Sequence, residues 1–164
     1  MRKAFAALLA AFYCIAAVCC AEAGEFQTHT VAEGGSGEAM EYVVEILVNG
    51  FSLTADIVNN DSGAAFLQLL NDNPLTISMQ DYGNFEKVGD LPTSLPTNDE
   101  RITTEPGDII LYLGNYITIY YDINSWSFTR LGKIRNVDRE TLLHYLGNGS
   151  VDVTFALPEP TPTP

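Results

Sequence analysis

Short runs in which apolar and polar side chains alternate dominate residues 42–157, and turn residues separate these runs. A two-residue period is typical of β-strands that bury one face. Two pairs of runs predict hairpins, because Asn49-Gly50 and Gly114-Asn115 tolerate the positive φ angles of tight turns. The predicted strands are 42–48, 51–56, 75–79, 108–113, 116–122, 127–134 and 150–156.

Two segments instead show the three-to-four-residue spacing of helices. Asp61 is the predicted N-cap of a short helix that ends near Asn71. Its predicted apolar face consists of Ala64, Leu67 and Leu70. Asp138 is the predicted N-cap of a second helix, and Gly147 is expected to end it in a left-handed conformation. The polar stretch 80–105 contains two prolines and is predicted to be a long irregular loop.

These elements predict a mainly β fold, a small closed β-barrel with two short capping helices. Closure removes the exposed strand edges through which sheets of different molecules pair, which suits an exported protein without disulfides. A β-sandwich is the alternative architecture, because it also contains many short strands joined by tight turns.

The first 23 residues have the features of an export signal. Arg2 and Lys3 precede an uncharged run, residues 4–20, and Ala21-Glu22-Ala23 offers a small-x-small cleavage site. The run is shorter than the about 20 apolar residues of a membrane-spanning helix, so cleavage near Ala23 is predicted. Lipid attachment through Cys19 or Cys20 is the alternative. The mature chain is expected to be secreted or at the cell surface, with no integral membrane span.

The remaining chain divides into three parts. A flexible acidic linker is predicted over 24–41, a barrel domain over 42–157, and a Pro-rich disordered tail over 158–164. All three cysteines precede the predicted cleavage site. Disulfides, thiolate nucleophiles and Cys-based zinc sites are therefore not expected in the mature protein.

Composition and charge narrow the possible partners. The chain has 164 residues, enough for one domain with an ordinary core, and 46% of them are hydrophobic. Its formal net charge of −13 disfavours nucleic acid and anionic lipid surfaces, because both repel an acidic protein. A peptide or a small molecule is the expected partner, and the protein is expected to be a monomer.

Common catalytic and cofactor patterns are missing from the sequence. The only histidines are His29 and His144, and there is no Gly-x-Ser-x-Gly sequence to present a nucleophilic serine. Too few histidines are present for a zinc site, and there is no phosphate-binding or dinucleotide-binding glycine pattern. We therefore predict no metal site and no cofactor.

Five strings, in this order, resemble the cyclophilin-like domain of bacterial proteins of unknown function. They are residues 75–83, 86–92, 106–112, 127–134 and 151–155. The resemblance covers roughly 42–156. It implies a cyclophilin-like barrel with two helices plugging its ends, usually in exported proteins, and implies no established activity.

Aromatic side chains cluster on and near the second hairpin. Along the strand 116–122, Ile117 and Ile119 are predicted to face the core, while Tyr116 and Tyr120 face outward beside Arg130 of a neighbouring strand. Other candidates are expected at the mouth of the barrel. The candidate ligand-binding residues are Tyr82, Phe85, Glu86, Tyr116, Tyr120, Trp126 and Arg130.

The function predicted from these observations is an exported module that binds a peptide or a small ligand. A divergent peptidyl-prolyl isomerase is the alternative, with Arg130 as the hydrogen-bond donor to the twisting amide. Its resemblance to true cyclophilins is incomplete, because the Phe-His-Arg and Phe-Met-Gln-Gly-Gly-Asp strings of that family are absent. Whether the protein is an enzyme is therefore left open. A structural or adhesive role is the third possibility.

Overall fold

The computed structural model describes residues 42–159, which form nine β-strands and two α-helices. The strands are β1 Val43–Val48, β2 Phe51–Ile57, β3 Leu75–Tyr82, β4 Glu86–Asp90, β5 Glu100–Thr103, β6 Asp108–Tyr112, β7 Tyr116–Tyr120, β8 Ser125–Ile134 and β9 Val151–Ala156. The helices are α1 Asp61–Leu70 and α2 Arg139–Leu146.

Eight of the strands close into an antiparallel barrel, which confirms the predicted fold class. Their order is β2-β1-β9-β3-β4-β7-β6-β8, and β8 pairs back with β2 to complete the ring. β5 lies outside this ring and pairs with the N-terminal half of β8. The strand β8 therefore has two roles, since one half supports β5 and the other half closes the barrel.

Alternate side chains of the strands fill the barrel with one hydrophobic core. Val44 and Ile46 of β1 and Ile117 and Ile119 of β7 are completely buried in it. Both helices contribute to the same core. Their buried apolar side chains are Phe66, Leu70, Leu142 and Leu146.

The two helices begin at side-chain caps, but one cap differs from the prediction. Asn60, not Asp61, is the N-cap of α1, and its Oδ1 accepts a hydrogen bond of 2.9 Å from the amide of Gly63. The apolar side chains that α1 buries are Phe66 and Leu70, whereas Ala64 is exposed and Leu67 is half-buried, so the predicted apolar face was partly wrong. The N-cap of α2 is as predicted, with Asp138 accepting from the Thr141 amide. Gly147 ends the helix at a positive φ of 65°, as expected, but its ψ of −174° is extended and not left-handed helical.

The prediction of an irregular loop over 80–105 was wrong. β3 extends to Tyr82, and β4 and β5 both lie within this range. β4 lacks an apolar alternation, because its inward positions are Lys87 and Gly89. β5 lies outside the barrel, where Ile102 is its only partly buried side chain. Neither strand therefore carries the hydrophobic pattern by which strands are detected.

Several predicted segments lie outside the described residues. These are the signal peptide 1–23, the acidic linker 24–41 and the last part of the tail, 160–164. Within residues 42–159, neither helix has the length and apolar character needed to cross a membrane.

An aromatic groove on the outer face of the barrel

The floor of the candidate site is the outer face of β7. Ile117 and Ile119 point into the core, so the intervening residues Tyr116, Thr118 and Tyr120 lie on the opposite face, as the alternation predicted. This face is not an ordinary solvated surface, because Thr118 and Tyr120 are each only 2% exposed.

The strands on either side of β7 extend this floor. On β4, Glu86 pairs with Tyr120, and Val88 pairs with Thr118. On β6, Tyr112 pairs with Tyr116 at the other end of the strand. Side chains directly opposite each other on antiparallel strands lie side by side. The floor is therefore three strands wide.

Aromatic rings cover Tyr120 and form the walls of the groove. Phe85 stacks on Tyr120 with the ring centroids 5.9 Å apart and the planes 6° from parallel. Phe128 of β8 approaches from the other side, with its ring centroid 5.6 Å from that of Tyr120. Together with Ile110, Tyr120 and Phe128 form a second apolar cluster separate from the barrel core.

The groove has a cavity volume of about 500 Å³, within the range of small-molecule sites. Tyr82 and Trp126 stand at its edges and are 64% and 58% exposed. Six of the seven candidate residues predicted from the sequence line this groove: Tyr82, Phe85, Glu86, Tyr116, Tyr120 and Trp126. The other lining residues are Val88, Tyr112, Leu113, Thr118, Asn124 and Phe128.

The predicted position of Arg130 beside Tyr116 and Tyr120 was wrong. The neighbours of β7 are β4 and β6, so β8, which carries Arg130, is two strands away. The guanidinium Nη2 lies 3.3 Å from Oδ2 of the buried Asp108, and Arg130 lines an adjoining cavity of about 240 Å³ beyond Phe128. Among the described residues that line the groove there is no Lys, Arg or His.

The one ionisable carboxyl in the groove is Glu86, which is 7% exposed. Burial raises the pKa of Glu86, and the nearby hydroxyls of Tyr120 and Thr118 oppose this rise only in part. Within residues 42–159, neither Glu86 Oε2 nor Thr118 Oγ1 completes a hydrogen bond of normal geometry. The hydroxyls of Tyr120 and Thr118 lie beside the carboxylate, but its Oε2 atom, buried under the floor of the groove, is left without a hydrogen bond of normal geometry in the described part of the chain.

We expect Glu86→Gln to increase the free energy of unfolding by about 1 kcal/mol at pH 8, because it removes a buried, incompletely hydrogen-bonded charge. The folded protein raises the pKa of Glu86, so folding favours the protonated acid. The stability that protonated Glu86 contributes to the wild type is thus fully present below the unfolded pKa, and it is lost as the pH rises through the folded pKa. Urea unfolding at pH 4 and pH 8 tests this. The prediction would be contradicted if the difference in free energy of unfolding between Glu86→Gln and the wild type did not grow with pH.

The arrangement lacks the groups of common hydrolytic sites. Within residues 42–159, no group of three or more His, Cys, Asp or Glu side chains is placed to hold a metal ion. His144 lies on α2, where its ring packs 5.4 Å from that of Phe51, away from the groove. The groove offers apolar contact, ring stacking, and hydrogen bonding by the carboxyl, hydroxyl, amide and indole groups that line it.

Several lining residues were missed by the sequence analysis. Thr118 could have been identified from the alternation, since it lies between Tyr116 and Tyr120 on the same face. Val88 could not, because β4 was not recognised as a strand. Phe128 and Tyr112 carried an aromatic signal, but their place in the groove depends on the sheet order.

A comparison with models of protein families identifies a family for this chain. The model of a family described as the cyclophilin-like family matches residues 46–156, which is more than half of the chain and extends from β1 to the end of β9. A search of curated proteins finds none that matches the chain.

Proposed function

The chain belongs to the cyclophilin-like family, and from this premise we propose that its barrel is a binding module whose ligand occupies the aromatic groove. The observation that carries the proposal is the groove itself. It has a volume of about 500 Å³, its walls are aromatic, and few polar atoms line it. Such concave apolar surfaces with a small number of oriented polar groups are typical of ligand sites.

Prolyl isomerisation receives less support from the geometry. An isomerase needs a hydrogen-bond donor aimed at the prolyl amide beside its proline pocket. Arg130 was the predicted donor, but it contacts Asp108 and lines the adjoining cavity. No Lys, Arg or His stands among the described residues that line the groove, so a charged donor of the predicted kind is missing there.

Binding can be followed through the single tryptophan of the chain, Trp126, which lines the groove. We expect 2-phenylethanol, a neutral aromatic probe, to change the Trp126 emission in a saturable way. Tyr82→Ala should weaken this binding about fivefold, because one aromatic contact contributes about 1 kcal/mol. Leu47→Ala is the matched control, since Leu47 is also an exposed apolar residue but lies on β1 outside the groove. Emission that stays linear up to the solubility limit would contradict the proposal.

We also propose that this module acts outside the cell. The proposal is supported by Arg2 and Lys3, the apolar run that follows them, and the cleavage pattern at Ala21-Glu22-Ala23.

N-terminal sequencing of the exported protein should therefore begin at Gly24. A chain that begins at Met1 would contradict cleavage. A lipid-modified Cys19 or Cys20 would instead establish attachment to a membrane.

A further inference from the structure

We propose that the groove binds a small organic ammonium ion that carries N–H groups, with the Glu86 carboxylate as its counter-ion. This inference rests on the proposed binding function and adds the chemical class of the ligand. It follows from the carboxylate of the floor, from the absence of Lys, Arg and His among the described residues that line the groove, and from the character of the walls.

In the described part of the chain, one carboxylate oxygen in the floor lacks a hydrogen bond of normal geometry, although the hydroxyls of Tyr120 and Thr118 lie near the carboxyl group. Glu86 is more than nine-tenths buried, and within the described residues its Oε2 atom has no hydrogen-bond partner. Thr118 Oγ1, on the neighbouring strand, also lacks one. A buried carboxylate is costly unless it is paired. An ammonium group supplies the opposite charge and as many as three donors.

The cations of the chain near these strands are engaged elsewhere. Lys87 follows Glu86 on β4, so its side chain lies on the opposite face, where Nζ is 2.7 Å from Oδ1 of Asp81. Arg130 is paired with Asp108 beyond Phe128. The net charge of −13 further favours a cationic ligand over an anionic one.

The walls select the same class of ligand. The faces of aromatic rings attract cations, and Tyr82, Tyr116 and Trp126 line the open part of the groove. A quaternary ammonium ion would gain this attraction but has no N–H group for Glu86 Oε2. A primary amine with an apolar body satisfies both the walls and the floor. The volume of about 500 Å³ suits a small molecule of this kind.

The test compares three probes of similar size, namely phenethylammonium, 2-phenylethanol and trimethyl-phenethylammonium, by Trp126 emission and calorimetry. We expect phenethylammonium to bind the wild type at least about tenfold more tightly than either of the others, because a charge-assisted hydrogen bond contributes more than a neutral one.

Glu86→Gln should remove this preference by reducing the affinity for phenethylammonium to about that for 2-phenylethanol. Glu45→Gln is the matched control, since it removes the same charge from β1 outside the groove and should preserve the preference. Thr118→Val is a second variant that keeps the charge of the site and removes one hydroxyl. It should weaken phenethylammonium binding severalfold, which tests the site independently of Glu86→Gln.

The outcomes separate the two proposals. Equal binding of phenethylammonium and 2-phenylethanol to the wild type would overturn the ammonium proposal and leave the binding function intact. Equal binding of phenethylammonium and its trimethyl analogue would overturn the role of the N–H groups. Binding of none of the three would overturn the binding function and the ammonium proposal together.

Discussion

Asp81→Ala is expected to lower the free energy of unfolding by about 3–5 kcal/mol, because it leaves a buried charge without its partner. The Lys87 side chain is completely buried at one end of the barrel. Its Nζ is 2.7 Å from Asp81 Oδ1 and donates a 2.6 Å hydrogen bond to the carbonyl of Gly149. Without Asp81 the ammonium would retain only this carbonyl. Urea denaturation at neutral pH measures the loss.

A double-mutant cycle with Lys87→Met separates the charge effect from ordinary packing. Lys87→Met alone should lower the free energy of unfolding by less than Asp81→Ala does, because Asp81 is 34% exposed and keeps its hydrogen bond from the Gly149 amide. The double variant should be more stable than Asp81→Ala, since no unpaired ammonium remains. Equal stability of these two variants would contradict the argument.

Acid should weaken the same interaction. Burial by itself raises the pKa of Asp81, but hydrogen bonds from Lys87 and the Gly149 amide outweigh it and lower the pKa below 3.8. A lowered folded pKa contributes stability above the unfolded pKa of 3.8, and this contribution is lost as the pH falls through the folded value. The stability gap between wild type and Asp81→Asn should therefore narrow in acid.

Gly132→Ala is the second substitution with a large expected effect, a loss of about 3 kcal/mol or more. Gly132 lies where β8 pairs with both of its barrel neighbours, opposite Ile57 of β2 and Ile109 of β6. A Cβ atom there would overlap the backbone oxygen of Asp56 and lie 2.9 Å from Cδ1 of Ile57. Backbone cannot move aside as a flexible side chain can, so β2 and β8 would have to separate.

The matched control for this prediction is Gly50→Ala in the first hairpin. Gly50 has φ +82° and no atom within 4 Å of an added Cβ, so only backbone strain of about 1 kcal/mol is expected. Hydrogen exchange should show faster opening of the amides between β2 and β8 in Gly132→Ala. If Gly132→Ala and Gly50→Ala lowered the free energy of unfolding equally, steric overlap at Gly132 would not be the cause of the loss.

The parts of the fold that were predicted correctly have strong local signals. Asn49-Gly50 adopts the expected positive φ angles of 48° and 82°, and Asp138 caps α2, because both features depend on a few adjacent residues. β4 was missed because a buried lysine and a glycine occupy its inward positions. Hydrophobic periodicity does not detect a strand whose core-facing side chain is charged.

The candidate site likewise contains features that the sequence of one strand predicts and features that depend on the order of strands. The alternation along β7 correctly placed Tyr116 and Tyr120 on one face, since that pattern is a property of a single strand. The position of Arg130 depended on which strands are neighbours, and the order of strands cannot be read from local periodicity. The burial of Glu86 was equally hidden, because its cross-strand partner Tyr120 and the ring of Phe128 come together only after the sheet has formed.

The opposite charges at adjacent positions of β4 also determine how this strand aligns with its neighbours. A slip of one residue would exchange the two faces, placing Glu86 against the apolar interior and Lys87 among the aromatic rings. Asp81 would then lose its cation, and the Lys87 ammonium would lose its carboxylate partner. Few apolar residues are available to specify the alignment of β4, so the ion pair between Asp81 and Lys87 selects one register by making the alternative electrostatically unfavourable.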